Sequence, residues 1–112
     1  MYVVDAGDDV RLPVALAELR LLLNDPVLIR RRPRLPVLIL ANKSDLLAAA
    51  DNQRRLAGET CVLCCDTQRT CRVVASCART GDALKHAFDW LLKQIAAAGP
   101  SWRQDRKPTW YW

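Results

Sequence analysis

The run Leu35-Pro-Val-Leu-Ile-Leu-Ala-Asn-Lys-Ser-Asp-Leu46 most limits what this chain can become. Val37 to Ala41 are apolar without interruption, and Asn42-Lys43-Ser44-Asp45 are polar without interruption. An apolar run this short, bounded by Pro36 and a polar cluster, suits a strand buried on both faces, as parallel strands are. The polar cluster then sits at the strand's carboxyl end, which is where ligands bind in an open α/β sheet.

Two further segments repeat that arrangement. Tyr2-Val3-Val4 runs into Asp5-Ala6-Gly7-Asp8-Asp9, and Cys71-Arg72-Val73-Val74-Ala75 runs into Ser76-Cys77-Ala78-Arg79-Thr80-Gly81. Between the first two strands, Leu12, Ala15, Leu16, Leu19, Leu22 and Leu23 fall at helical spacing, with Asp8 or Asp9 as cap and Pro13 tolerable in the first turn. Asn24-Asp25-Pro26 reads as the stop, and the stretch to Arg34 as a basic connection. Leu46 to Arg55 has helix propensity without a clean stripe, and Gly58 is its expected end. A last helix carries Leu84, Phe88, Leu91, Leu92 and Ile95 on its apolar face and stops at Gly99-Pro100. Its His86 reads as a surface residue. Each strand feeding a helix predicts crossover units, hence a parallel sheet whose carboxyl rim gathers Asp5, Asn42 to Asp45 and Ser76 to Ala78.

The bulk numbers restrict the class of function. A chain of 112 residues supports one core. No apolar run approaches the roughly 20 residues of a membrane span, and no secretory signal pattern is present. The net charge of +5 is concentrated in Arg30 to Arg34 and Arg103 to Lys107, neither interleaved with aromatic residues as a base-stacking surface would be, so no nucleic-acid partner is expected. Cys61, Cys64, Cys65, Cys71 and Cys77 are an odd set without a secretory signal, which points to reduced, partly buried thiols rather than a disulfide framework. Cys61-x-x-Cys64 lacks the further ligands that a closed zinc site needs. Residues 99–112, with three tryptophans, a tyrosine and several charges, read as a flexible basic and aromatic tail.

Asn42-Lys43-Ser44-Asp45 matches the Asn-Lys-x-Asp base-recognition motif of small GTPases, and Ser76-Cys77-Ala78 matches their second base-binding loop. The wider text resembles the ADP-ribosylation factor and Arf-like family in particular. The likeness rests on Tyr2-Val3-Val4-Asp5 with Asp8, Arg11, Ala15, Glu18, Leu19 and Leu23, on Leu40 to Leu46, on Ala75 to Ala78 with Gly81, Asp82 and Leu84, and on Phe88-Asp89-Trp90-Leu91. It spans about residues 2 to 96 and implies the carboxyl-terminal half of such a domain. The fold implied is α/β, a three-layer P-loop-NTPase-like parallel sheet truncated to about three strands with flanking helices, over residues 1–98.

The resemblance implies GTP or GDP as ligand and gives each matched residue a role. Asp45 would accept the two guanine donors, Asn42 would brace its loop and contact the base edge, and the Lys43 stem would cover one ring face. Ala78 would donate its backbone N–H to O6, with Ser76 and Cys77 shaping that loop. It also implies a cytoplasmic setting, peripheral at intracellular membranes, with effector or membrane-associated partners and a place in vesicle trafficking.

The departures are equally definite. The sequence contains no Gly-x-x-x-x-Gly-Lys-[Ser/Thr], which cradles phosphates and supplies a Mg²⁺ ligand, and no Asp-x-x-Gly switch segment of the family's kind. The expectation is base recognition with weak nucleotide affinity, no Mg²⁺ site and no support for hydrolysis. The alternative is a non-catalytic interaction module derived from a GTPase half-domain. In the family's sheet a further strand neighbours the one at Tyr2, so that edge is expected to be uncovered.

Overall fold

The computed structural model describes residues 1–47 and 49–98, so the tail reading for 99–112 lies outside the described residues. Three strands, β1 (Tyr2–Asp5), β2 (Val37–Asn42) and β3 (Cys71–Ala75), form a parallel sheet in the order β1-β2-β3. Four helices complete the fold: α1 (Leu12–Leu23), α2 (Pro26–Arg31), α3 (Ala49–Thr67) and α4 (Leu84–Ala97). The parallel sheet is the one that the strand–helix alternation predicts, and the layering is the three-layer α/β arrangement that the resemblance implies, with α1 and α3 on one face and α4 on the other.

Val37 to Ala41 of β2 are all buried, because β2 has a neighbour on each edge and helices on each face. Val37, Ile39 and Ala41 join Val4, Leu12, Leu16, Leu19, Leu23, Leu56 and Leu63 in the larger core. Leu38 and Leu40 point the opposite way and meet Ala87, with Val74, Leu84, Trp90 and Leu91 partly buried around them. Register aligns the polar ends: Asp5 pairs with Asn42, and Ala41 with Ala75, so Ser76 follows at the same rim.

Five local features differ from the sequence expectations. Asp25 does not merely end α1. Its carboxylate accepts the Val27 and Leu28 N–H groups at 2.8 and 2.9 Å, capping α2 with Pro26 at its first position. The basic connection is thus partly helical, with Arg30 and Arg31 in the last turn, where the helix dipole favours cations. The capping expected of Asp8 falls one turn early: its carboxylate accepts the Arg11 N–H at 3.0 Å, while α1 has no side-chain cap of its own.

Next, α3 does not end at Gly58 but continues to Thr67, taking Cys61 to Cys65 into the helix. Its buried positions, Ala49, Asn52, Leu56, Thr60, Leu63 and Cys64, do form a stripe at helical spacing. Half of that stripe is polar or sulfur-bearing, which hides it from a search for apolar periodicity. Gly58 has nothing within 4 Å of where a Cβ would stand, so it costs the helix only backbone entropy, about 1 kcal/mol.

The expectation of five reduced thiols is also corrected. The longer α3 brings Cys64 beside the first residue of β3, and Cys64 and Cys71 form a disulfide with Cα atoms 6.1 Å apart. Cys61, Cys65 and Cys77 are free.

Finally, α4 packs through Ala87, Leu84, Trp90 and Leu91, whereas Phe88, Leu92 and Ile95 are left 41, 64 and 49 % exposed. Val3 of β1 faces the same side and is 54 % exposed. Among the described residues nothing pairs the outer edge of β1. His86 is exposed, in keeping with the sequence reading. No helix of the described residues is long and apolar enough to cross a membrane.

Candidate functional site

The rim built by the register holds an open cavity of about 510 Å³, lined by Asn42, Lys43, Asp45, Leu46, Cys77, Ala78 and Arg79. Five of the six candidate residues therefore share one concavity. Ser76 stands behind it, fully buried, as part of the frame. Its N–H donates to Ala41 O at 2.9 Å, and its carbonyl accepts the Ser44 N–H at 3.0 Å, tying the two loops together.

The first loop turns sharply after β2. Lys43 has φ +61°, a left-handed conformation that costs a non-glycine residue about 1 kcal/mol and persists only where neighbours hold it. The holding contacts are visible: Leu46 N–H donates to Lys43 O at 3.1 Å, and the Lys43 ammonium pairs with the Asp5 carboxylate at 2.5 Å. Asp5 also accepts the Gly7 N–H at 2.9 Å. The hydrogen bond from Lys43, ahead of that from Gly7, holds the Asp5 carboxyl below its ordinary range, and the same bond raises the Lys43 ammonium above its own. Both groups face solvent, so the pair fixes geometry more than it stabilises the fold.

The second loop closes through Gly81, whose φ of +75° a side chain would strain, and whose N–H donates to Cys77 O at 2.8 Å. Cys77 is buried, and its thiol donates to Asp45 Oδ1 at 3.5 Å. Arg79 Nη1 lies 3.9 Å from the other Asp45 oxygen, on an exposed and therefore weak ion pair. Asp45 thus presents a carboxylate, 41 % exposed, with only loose partners. The Ala78 N–H donates to Asn42 Oδ1 at 3.0 Å, so the side chain of one loop occupies the donor of the other.

Three participants went unread in the sequence. Leu46 and Arg79 line the cavity, and each directly follows a motif residue. Asn52 is 7 % exposed, and its amide donates to Ala6 O at 2.8 Å and to the Asp9 carboxylate, bracing the loop after β1 from α3. A lone asparagine in an unclear helix gave no signal for that role. Leu46 also presses on Gly7, where a Cβ would stand 2.4 Å from its Cδ1.

Chemically, the cavity offers one loosely held carboxylate, a backbone donor engaged by the Asn42 amide, and an aliphatic wall. That set suits a planar ligand with adjacent N–H donors and an acceptor nearby.

Comparison with known proteins agrees with this geometry. The model of the ADP-ribosylation factor family matches residues 1–95. The chain is 36 % identical over 99 residues to ADP-ribosylation factor-like protein 6 of Danio rerio, covering 87 % of this chain and 50 % of that protein. It is 30 % identical over 95 residues to ADP-ribosylation factor-like protein 3 of Chlamydomonas reinhardtii, covering 85 % of this chain and 50 % of that one. The chain spans about half the length of these curated relatives. With a three-stranded parallel sheet and a family match across both rim loops, the chain belongs to the ADP-ribosylation factor family.

Proposed function

We propose that this chain is the guanine-reading part of an Arf-like small GTPase, binding GTP or GDP through the rim cavity. The observation that carries the reading is the convergence of Asn42, Lys43, Asp45, Cys77 and Ala78 on one open concavity at the carboxyl ends of parallel strands. In this reading the Asp45 carboxylate accepts the ring N1–H and the exocyclic amine, exchanging its loose contacts with Cys77 and Arg79 for two directed bonds. Asn42 releases the Ala78 N–H, which turns to guanine O6, and the freed amide meets the base edge. The Lys43 stem, held by Asp5, lies along one ring face, and Ser76 keeps the loops in register.

Adenine, which lacks the paired donors, would leave Asp45 desolvated and unmatched, a discrimination on the order of 10⁴. No residue here is assigned to the phosphates, to Mg²⁺ or to hydrolysis. Base contacts alone give weak affinity, since phosphates and metal carry the main charged interactions of such sites. The reading takes residues 1–98 as the partial domain and 99–112 as its tail, and extends to cytoplasmic action beside membranes, in vesicle trafficking with effector partners; the family match supports that extension.

The test is a titration of the chain with GDP and with xanthosine diphosphate, before and after Asp45→Asn. Exchanging the acceptor for an amide should reverse the preference from guanine to xanthine. Equal, undetectable binding of both nucleotides by both proteins would end the proposal.

One observation favours a second reading, a non-catalytic interaction module. Val3, Phe88, Leu92 and Ile95 expose apolar surface on the side where β1 has an open edge. A stable, monodisperse chain that binds no guanine nucleotide would favour that reading over the first.

A further inference from the structure

A second cavity, of about 660 Å³, lies between α3 and the start of β3 and is lined by Thr60, Cys61, Cys64, Cys65, Arg69 and Cys71 among others. It lies at the opposite end of β3 from the rim loops, and the proposed nucleotide site makes no use of it. Two features set it apart from a surface dent. Four of the five cysteines line it, two of them already joined as Cys64–Cys71. And Arg69, 6 % exposed, brings a cation to its wall.

Arg69 is incompletely satisfied. Its Nη1 donates to Arg32 O at 3.0 Å, its Nε is buried without a partner, and among the described residues no carboxylate pairs with it. The Thr60 hydroxyl, also buried, is unpartnered as well. A buried guanidinium with free hydrogen-bonding capacity is costly unless an anion completes it. Metal coordination does not account for the sulfurs, since among the described residues no group of three or more ligating side chains is placed to hold an ion.

We propose that this cavity is a thiol–disulfide exchange site for a small thiol bearing a carboxylate, of the glutathione class, with Arg69 as the carboxylate's partner and Cys71 as the sulfur attacked. Cys71 is the more accessible half of the disulfide, being half-buried where Cys64 is 6 % exposed. The incoming thiolate bonds to Cys71 Sγ, the Cys64–Cys71 bond breaks, and Cys64 leaves as a thiolate that takes up a proton. A second molecule of the thiol attacks the mixed disulfide, freeing Cys71 and leaving as the oxidised dimer, so two electrons pass from two thiols to one disulfide. The reverse sequence, from the oxidised dimer, restores the staple between α3 and β3. Cys65 is a poor internal substitute as attacker: the charge of Cys61, and then a hydrogen bond from it, push its thiol above the ordinary range. In a reducing compartment a bond of this kind is transient and serves sensing rather than architecture.

The test uses the full chain, with reduction of Cys64–Cys71 followed by alkylation and peptide mass analysis. Glutathione should act about tenfold faster than cysteamine at equal thiolate concentration, a charge-assisted hydrogen bond's worth of preference. Arg69→Gln should bring the two rates together, while Arg11→Gln, an equal loss of charge at the other end of the sheet, should leave the preference intact. Should Arg69→Gln fail to fold, S-methylglutathione, which cannot react, should slow cysteamine reduction of the unaltered chain. In Cys64→Ser, oxidised glutathione should cap Cys71 ahead of the exposed Cys61 and Cys65. Equal rates for the two thiols, no protection by S-methylglutathione, or first capping at Cys61 or Cys65 would each overturn the proposal.

Discussion

The two faces of the sheet are finished to different degrees. On one, α1 and α3 together bury Leu12, Leu16, Leu19, Ile39 and Leu56 to 3 % exposure or less. On the other, α4 alone covers Leu38 and Leu40 with Ala87, and Val3, Phe88, Leu92 and Ile95 remain in solvent. The contrast separates what this stretch of chain does for itself from what it leaves for other atoms to cover. The loop after β2 is tied to the end of β1 through Lys43 and Asp5, and the loop after β1 is anchored to the finished side through Asn52, which bonds Ala6 and Asp9.

The sharpest way to break this comparison is to cut into each face in turn. Leu19→Ala should cost about 3 kcal/mol in urea unfolding, the lost transfer energy plus a cavity between α1 and the sheet. That is a large part of the total stability of a small domain. Next in size is Asn52→Ala, expected to cost about 1–2 kcal/mol by stripping the buried Ala6 carbonyl of its donor. The same change should weaken any guanine nucleotide binding, read by the titration above.

On the unfinished face the expectation inverts. Phe88→Ala should cost less than about 1 kcal/mol in the same urea unfolding, because the ring is already 41 % exposed. A cost as large as that of Leu19→Ala would mean that the two faces are equally complete. The smallest effect concerns the rim ion pair. Asp5 has its carboxyl lowered by Lys43, so its contribution is present above the unfolded carboxylate range and is lost as pH falls through the lowered folded value. The Lys43 ammonium is raised, and its contribution is lost only as pH rises through that raised value. Stability should therefore be level across neutral pH. By NMR, the Asp5 titration should move back up towards the ordinary carboxylate midpoint in Lys43→Met; an unchanged midpoint would remove the tether.

Legibility followed chemistry at each position. The β2 strand and its motif were readable because an apolar run meeting a polar cluster has few structural solutions. The rim residues followed from parallel topology, since parallel strands deliver their carboxyl ends to one edge. The reach of α3 was not readable: Asn52, Thr60 and Cys64 hold stripe positions that binary patterning assigns to apolar residues. Their burial is set by partners, such as the Ala6 carbonyl and Cys71, that are distant in sequence. The contacts of the α4 stripe are illegible for the converse reason. Phe88, Leu92 and Ile95 have helical spacing and apolar character, yet a helix lying on a three-stranded sheet covers only part of such a stripe, and small Ala87 sets the closest approach. The Cys64–Cys71 bond is not legible from an odd cysteine count, which bears on disulfide frameworks and not on a single pair brought together by helix length.

The central position of β2 has a consequence for how ligand binding would be felt. Opening β2 requires breaking both ladders and both cores, so its local opening free energy approaches that of the whole domain, while the edge of β1 frays at far lower cost. The Asn42 to Asp45 loop hangs directly from that least-opening element. A ligand held there would resist global unfolding by mass action, stabilising the entire chain by RT ln(1 + [L]/Kd), rather than quieting a mobile lid.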